Sequence, residues 1–257
     1  MRLDRVRGAA RDCAWGDVIL EAEELLDEDP DHPDGLFLLG EALLETGDWE
    51  LARQVYEHRV SLDGGDSATL TGLAISAFHL CDLPTCAESA REAVRLDPGN
   101  AEAHQFLGLA LERTPGRQSE AVTELTAAAH LDPVRFPLPL SLKSTEWEGV
   151  IEAAVAQLPP RLQAFWRQVP FRVEDLPNLD ELRDTTPPLS PMVGALALGE
   201  PPDGRDPFEV HPEAVRLFAR NLARAGTRDA IVSELAHALR EEALDWLGVE
   251  LEALDPA

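Results

Sequence analysis

The chain has 257 residues, 44% hydrophobic and 27% charged, a composition typical of a globular protein large enough for two domains. Its formal net charge of −26 argues against nucleic-acid binding and anionic membrane surfaces, because both need clustered Lys and Arg. The same charge favours high solubility and partners that carry basic residues.

The cysteines and the N-terminus predict a cytoplasmic protein. Cys13, Cys81 and Cys86 are odd in number, and the first residues have no apolar core of the kind found in a signal peptide. No run of the sequence approaches the roughly 18 apolar residues that a membrane span needs. We therefore expect reduced thiols and no membrane association.

Along the first half of the chain, acidic residues recur at a nearly fixed spacing. Asp29, Asp63 and Asp97 are separated by 34 residues each, and Asp132 follows 35 residues later. Such a period is the signature of stacked supersecondary units, none of which can bury its apolar stripe alone. The spacing predicts a degenerate unit at residues 1–32 and full units at 33–66, 67–100 and 101–134.

Each unit reads as a pair of helices. The small residues Gly40, Ala74 and Gly108 let the two helices of a pair approach closely, and proline after Asp29, Asp97 and Asp132 ends the second helix. The 34-residue period with Gly or Ala near the eighth place resembles the tetratricopeptide repeat (TPR). The resemblance implies an all-α solenoid over residues 1–134.

In TPR proteins the first helices of the pairs line a concave groove. Apolar and acidic side chains alternate there, which favours a protein or peptide partner with apolar and basic residues, and Phe37 and Phe78 are the expected anchors. By position in the repeat, the groove is predicted to contain Asp34, Phe37, Glu41, Leu44, Glu45, Thr71, Ile75, Phe78, His79, Glu102, Gln105, Leu109, Glu112 and Arg113.

The second half, residues 135–257, has mixed signals. A proline-rich joint leads to a helix from Ser144, the predicted N-cap, with Trp147 as its first large apolar anchor. Residues 171–177 are predicted to form a strand that runs into a turn, and 195–198 is a short apolar run. Residues 215–222 are ambiguous between strand and helix. Residues 228–248 have the apolar spacing of one long helix, which Gly248 ends.

Short segments of this half suggest a second family. RFPLP, VEDLP, PPLSP and LFARNLARA occur in this order, and the last helix reads LREEALDWLGVELEAL. The pattern resembles the minimal zincin-type metallopeptidase domains, in which this helix reads roughly LLHExGHxLGLDxED. The implied fold class is α+β, with a small zincin-like α+β domain at residues 135–257 after the all-α solenoid.

The resemblance also implies that the metal site is degenerate. Glu241 and Asp245 stand where the family has its two zinc-binding histidines, and Glu250 or Glu252 matches the last acidic ligand. Glu242 keeps the position of the general base, which would act only if the site were active. Aspartate is shorter than histidine, and all-oxygen sites suit Mg, Ca or Mn better than Zn. We therefore expect no cofactor and no zinc; any divalent metal would bind weakly.

Three interpretations of this helix stay open at this point. It is a solvated acidic face, a metal site rebuilt from carboxylates, or an active hydrolase. His237 shares the face of Glu241 and Asp245 and suggests a second, gapped alignment of the motif, although a lone surface histidine explains it equally. The sequence favours a cytoplasmic bacterial adaptor with an inactive zincin-like domain. The alternative is a metal-dependent peptidase with carboxylate ligands. Neither the partner nor the oligomeric state follows from the sequence.

Overall fold

In the computed structural model, which describes residues 2–185, 188–201 and 207–248, the chain divides into two compact units. The first comprises Met1–Phe136 and Leu182–Pro191, and the second Pro137–Glu181 and Met192–Ala257. The sequence predicted a single boundary after residue 134. The contacts place the boundary after Phe136, and they also assign a short segment of the second half to the first unit.

The first unit is built from four consecutive helix pairs. Helix α1 spans Arg2–Arg11 and α2 Trp15–Glu28; α3 spans Pro33–Thr46 and α4 Trp49–Asp63. Helix α5 spans Ser67–His79 and α6 Leu83–Leu96; α7 spans Ala101–Glu112 and α8 Gln118–Leu131. The pairs coincide with the four units of the 34-residue period, including the degenerate first one. The predicted helical solenoid is confirmed.

The repeat period also places the caps of the first helices. His32, Asp66 and Asn100, each 34 residues apart, accept hydrogen bonds from the backbone N–H groups three residues on, at 3.2, 2.8 and 3.0 Å. Each side chain satisfies a donor that the helix itself leaves without a partner. The caps fix the start of α3, α5 and α7, the helices predicted to line the groove.

The turn inside each pair needs one residue with a positive φ. Cys13, Gly47, Cys81 and Gly116 have φ values of 54°, 82°, 60° and 80°, and they follow the same 34- and 35-residue spacing. Glycine adopts this conformation without steric strain, whereas for a residue with a Cβ it costs about 1 kcal/mol or more of conformational free energy. Two of the four turns therefore carry backbone strain at a cysteine.

Cys13→Gly is expected to stabilise the first unit by about 0.5–1 kcal/mol, because it relieves this strain at an exposed position. Cys13→Ala, which keeps the Cβ, is the matched control and should bring no gain. Urea denaturation of the three proteins checks the prediction. An equal gain from both substitutions would mean that the thiol, not the backbone, carries the cost.

Close helix packing in the first unit depends on glycines facing large side chains. A Cβ added to Gly40 would lie 2.6 Å from the Tyr56 ring, and one added to Gly72 would lie 2.2 Å from it. A Cβ on Gly108 would lie 2.6 Å from Leu125. The predicted close approach at Gly40 and Gly108 is confirmed. The buried Tyr56 ring is held between α3 and α5.

The second unit combines helices with a small sheet. Helix α9 spans Ser144–Ala156 and α10 Pro160–Trp166; strand β1 spans Phe171–Glu174 and α11 Leu179–Arg183, across the division between the units. Strand β2 spans Ala195–Leu198, β3 Ala214–Phe218, α12 Ala219–Ala223 and α13 Arg228–Leu247. The sheet order is β1-β3-β2, with β1 parallel and β2 antiparallel to β3.

The core of the second unit lies between α9, α10, the sheet and α13. Trp147, Trp166 and Leu235 are buried there, and the Trp166 indole N–H donates to the Leu239 carbonyl oxygen at 3.1 Å. This bond satisfies the only polar atom of a fully buried ring. The packing explains why the apolar face of α13 was visible in the sequence.

Most predicted elements of the second unit are found, with two corrections. The ambiguous stretch 215–222 contains both a strand and a helix, because β3 ends at Phe218 and α12 begins at Ala219. Helix α9 begins at Ser144, but its N-cap is Lys143, whose N–H donates to Glu146 Oε2 at 2.7 Å. Gly248 ends α13 in the left-handed conformation, as expected. None of the helices in the described part of the chain is long and apolar enough to cross a membrane.

Candidate functional site

A cavity of about 240 Å3 opens on the first unit where the concave groove was predicted. Helices α3, α5 and α7 form it, together with the start of α4 and the turn after α8. Its walls mix aromatic, aliphatic and charged side chains. The lining residues are Glu41, Leu44, Glu45, Trp49, Ile75, Glu102, Phe106 and Arg135.

Two of the three carboxylates that line this cavity, those of Glu41 and Glu102, are partly removed from water. Burial raises the pKa of Glu41 above its usual value, the Tyr56 hydroxyl lowers it by donating to Glu41 Oε1 at 2.8 Å, and the charge of Glu45 raises it again. Burial also raises the pKa of Glu102. A raised carboxyl pKa means that the negative charge is poorly solvated, so a cation brought into the cavity is stabilised more than at an exposed carboxylate.

One basic side chain of the unit already pairs with a carboxylate of the cavity. Arg135 Nη2 forms an ion pair with Glu102 Oε1. The Arg135 side chain is 59% exposed, so it lies over the mouth of the cavity and does not fill it. The lining thus contains three carboxylates and a single guanidinium. The excess negative charge favours a basic group from a partner.

Two residues from the second half of the sequence, Ser190 and Pro191, belong to the first unit and contact its helices. His79 Nδ1 lies 2.8 Å from the Ser190 hydroxyl, and Arg113 Nη2 donates to the Pro191 carbonyl oxygen at 3.0 Å. The Trp49 and His79 rings are stacked with centroids 4.0 Å apart. Burial lowers the pKa of His79 to about 4, so the imidazole is neutral at pH 7.

The predicted groove residues therefore separate into two groups. Glu41, Leu44, Glu45 and Ile75 line the open cavity, and Glu102 lies beside them. The second group is withdrawn from solvent or half-buried elsewhere in the unit, and comprises Asp34, Phe37, Thr71, Phe78, His79, Gln105, Leu109, Glu112 and Arg113.

Phe78 was predicted as an anchor for the partner, but its side chain is fully buried and Leu109 is only 2% exposed. The Phe78 ring packs edge-on against Phe106 at 5.5 Å, and the Arg113 guanidinium lies 5.1 Å from its centroid. Phe78 thus stabilises the helix stack. Phe37 is half-buried, with the Arg59 guanidinium 5.4 Å from its ring.

Sequence reasoning missed Trp49, Phe106 and Arg135. Phe106 follows Glu102 by four residues, the spacing of one helix face, so helical geometry alone could have found it. Trp49 begins the second helix of its pair, outside the set considered for the groove. Arg135 was assigned to the second domain, although it directly follows the turn that closes the fourth pair.

In the second unit the residues of the predicted metal motif lie on α13 with different exposure to solvent. Glu241, Asp245 and His237 are exposed, whereas Glu242 is turned inward. The backbone N–H of Ala197 in β2 donates to Glu242 Oε2 at 2.6 Å. Burial, with a smaller contribution from Asp245, raises the pKa of Glu242 to about 7 against the effect of this hydrogen bond. Glu250 and Glu252 lie outside the described residues.

The three carboxylates of the predicted motif differ in their surroundings. Glu241 and Asp245 are exposed and one helical turn apart, and Glu242 is held by a backbone donor. Within residues 2–185, 188–201 and 207–248 there is no group of three or more His, Cys, Asp or Glu side chains that could hold a metal. No metal-dependent step is derived from these residues.

Comparison with known families bears on the first unit. Two family models described as tetratricopeptide repeat match residues 19–74 and 73–135. Residues 19–135 are tetratricopeptide repeats. Their stacked pairs present the concave surface that such arrays use for binding, which supports a role in protein–protein interaction. No curated protein matches the chain. The zincin-like identity of the second unit stays a prediction.

Several solved structures resemble the TPR unit. A MamA protein is 19% identical with a TM-score of 0.47, and the match covers 51% of this chain and 72% of that one. YrrB, a TPR protein with an unusual peptide-binding site, is 15% identical with a TM-score of 0.46, covering 51% and 68%. A thermophilic TPR protein of Thermus thermophilus is 19% identical with a TM-score of 0.46, covering 52% and 75%.

Proposed function

We propose that the protein is an interaction adaptor whose TPR cavity binds a protein segment carrying an apolar residue next to a basic one. The supporting observation is the pairing of poorly solvated carboxylates with apolar walls in one open cavity. Leu44 and Ile75 offer apolar contact, and Glu41, Glu45 and Glu102 offer charge. A lysine or arginine of the partner would add to, or replace, Arg135 as their counter-ion.

The role proposed for the second unit is a zincin-like domain that does not use zinc. The Glu242 carboxylate is held by the backbone N–H of Ala197, whereas Glu241 and Asp245 are exposed, which supports this. Nothing in the described residues favours the carboxylate-dependent peptidase over the adaptor, because a hydrolase of that kind needs its ligands to converge on one point. We therefore propose the adaptor function and not the peptidase.

Glu45→Lys in the full chain is expected to weaken partner binding at least tenfold, about 1.4 kcal/mol, because it reverses an exposed charge at the rim of the cavity. Glu88→Lys on the exposed face of α6 changes the net charge equally and is the matched control. Partners captured from a lysate by the wild-type chain are identified and then titrated against both variants.

Two further measurements sharpen this test. Salt at about 0.5 M shortens the screening length to several Å and should weaken wild-type binding more than binding by Glu45→Lys. Replacing Leu44 and Ile75 together by alanine should cost on the order of 2 kcal/mol at any salt concentration if they are central anchors. Equal losses for Glu45→Lys and Glu88→Lys would show that overall charge, not this cavity, selects the partner.

A further inference from the structure

In the part of the chain that the structure describes, the sheet of the second unit has an open edge at β1. Val215 N donates to the Pro170 carbonyl oxygen at 2.9 Å, and alternate residues of a parallel strand face the same neighbour. The peptide groups of Arg172 and Glu174 therefore face β3, and those of Phe171 and Val173 face away from it. Within the described residues, no hydrogen bond reaches these outward groups.

At the opposite edge of the same sheet, one outward peptide group has a partner. Ala197 N, on the outward side of β2, donates to Glu242 Oε2 of α13 at 2.6 Å. An exposed strand edge is a template for pairing with another chain, and proteins commonly cover it. The Glu242 carboxyl thus occupies part of the edge of β2, whereas no group among the described residues occupies the outward edge of β1.

An apolar cavity lies beside the open edge. Its volume is about 280 Å3, and Val155, Trp166 and Val169 form its interior with Ile151 and Phe171 at the sides. Val173 is 41% exposed and lies on the same face of β1 as Phe171, since alternate residues of a strand share a face. A strand added along β1 would place alternate side chains over this cavity, which has room for one of leucine or phenylalanine size.

The charged side chains at the rim of this cavity favour basic residues in a bound chain. Glu148 and Glu152 are exposed, one turn apart on α9, and neither forms an ion pair within the described residues. Arg167, also at the rim, donates to Gln163 Oε1 at 3.2 Å. Two adjacent carboxylates without a counter-ion attract Lys or Arg. The net charge of −26 adds the same preference at longer range.

We propose that β1 is a second binding site, independent of the TPR cavity, at which an extended peptide adds to the sheet as a strand. The peptide carries an apolar residue that enters the cavity and a Lys or Arg two residues away on the same face. Main-chain hydrogen bonds to Phe171 and Val173 hold the strand. The cavity and the two glutamates determine which side chains the peptide needs.

The probe is the capped peptide Thr-Lys-Thr-Leu-Thr-Lys-Thr, titrated into the full chain and followed by residue-resolved hydrogen exchange. At saturation the amide protons of Phe171 and Val173 should exchange at least tenfold more slowly. The amide protons of Arg172 and Glu174 should not change, because they already face β3. The control peptide Thr-Lys-Leu-Thr-Thr-Lys-Thr has the same composition with Leu and Lys on opposite faces, and should bind at least fivefold more weakly.

Three variants test the parts of the site. Val173→Pro removes an outward N–H that β3 does not use, as edge strands tolerate, and should weaken binding at least tenfold. Ile151→Trp fills part of the cavity from α9 and leaves the backbone of β1 unchanged. It should weaken binding equally, which keeps the test valid if the proline variant does not fold. Replacing Glu148 and Glu152 together by glutamine should weaken binding three- to tenfold and abolish its salt dependence.

Two results would overturn the proposal. One is binding of the probe without slower exchange at Phe171 and Val173, which places the peptide elsewhere. The other is slower exchange at these residues that rises with protein concentration in the absence of peptide, which makes a second copy of the chain the occupant. Sedimentation velocity at the same concentrations distinguishes the two.

Discussion

Gly72→Ala is expected to destabilise the TPR unit by about 3 kcal/mol, the upper part of the range for overpacked cores. The added Cβ would lie 2.2 Å from Tyr56 Cζ, where no real contact is tolerated. Gly40 packs on the same ring, so the ring cannot move toward α3 to escape. Alanine gains about 1 kcal/mol of helix propensity over glycine, but this is smaller than the cost of the overlap. Urea denaturation followed by circular dichroism measures the difference.

Two variants distinguish the steric overlap with Tyr56 from the higher helix propensity of alanine. Gly8→Ala is the matched control, because α1 has open space around that position and alanine should stabilise by up to about 1 kcal/mol. In a Tyr56→Val background the obstacle is gone, so Gly72→Ala should become neutral or stabilising. A destabilisation that persists without the Tyr56 ring would show that Gly72 is needed for another reason, and a double-mutant cycle quantifies the coupling.

The repeat architecture could be predicted because a period of 34 residues is visible in the sequence without any knowledge of contacts. The caps at His32, Asp66 and Asn100 follow the same period. The packing of the Tyr56 ring between Gly40 and Gly72 could not be predicted, because Gly72 belongs to the next repeat unit. The strained turns at Cys13 and Cys81 were equally hidden, since only the φ angle reveals them.

The groove was predicted less well than the helices that form it. Four residues selected by position in the repeat line the cavity, namely Glu41, Leu44, Glu45 and Ile75. Phe78, selected in the same way, is buried by contacts with Phe106 and Arg113 from the neighbouring pair. Neither these contacts nor the return of Leu182–Pro191 to the first unit leaves a periodic signal, because the segment is distant in sequence from the repeats.

Glu242→Gln is expected to stabilise the second unit by up to about 3 kcal/mol at pH 8 and by almost nothing near pH 4.5. Burial raises the pKa of this carboxyl from 4.5 to about 7, so folding disfavours its ionised form. Wild-type stability is therefore greatest below the unfolded pKa and is lost as pH rises from about 4.5 to 7. Glutamine accepts the same hydrogen bond from Ala197 and carries no charge at any pH. Hydrogen exchange of the α13 amides, corrected for the intrinsic effect of pH, measures the gain.

Glu241→Gln provides the control, because Glu241 is the adjacent residue and its exposed carboxylate should change stability by less than about 0.5 kcal/mol across the range. A gain for Glu242→Gln that is the same at pH 4.5 and pH 8 would contradict the titration. The variant also distinguishes the two candidate functions. An adaptor that binds through the TPR cavity should capture its partner as well with glutamine at position 242 as without it. A hydrolase that uses Glu242 as its general base should lose activity while gaining stability, since groups poised for catalysis are commonly held at a cost to the fold.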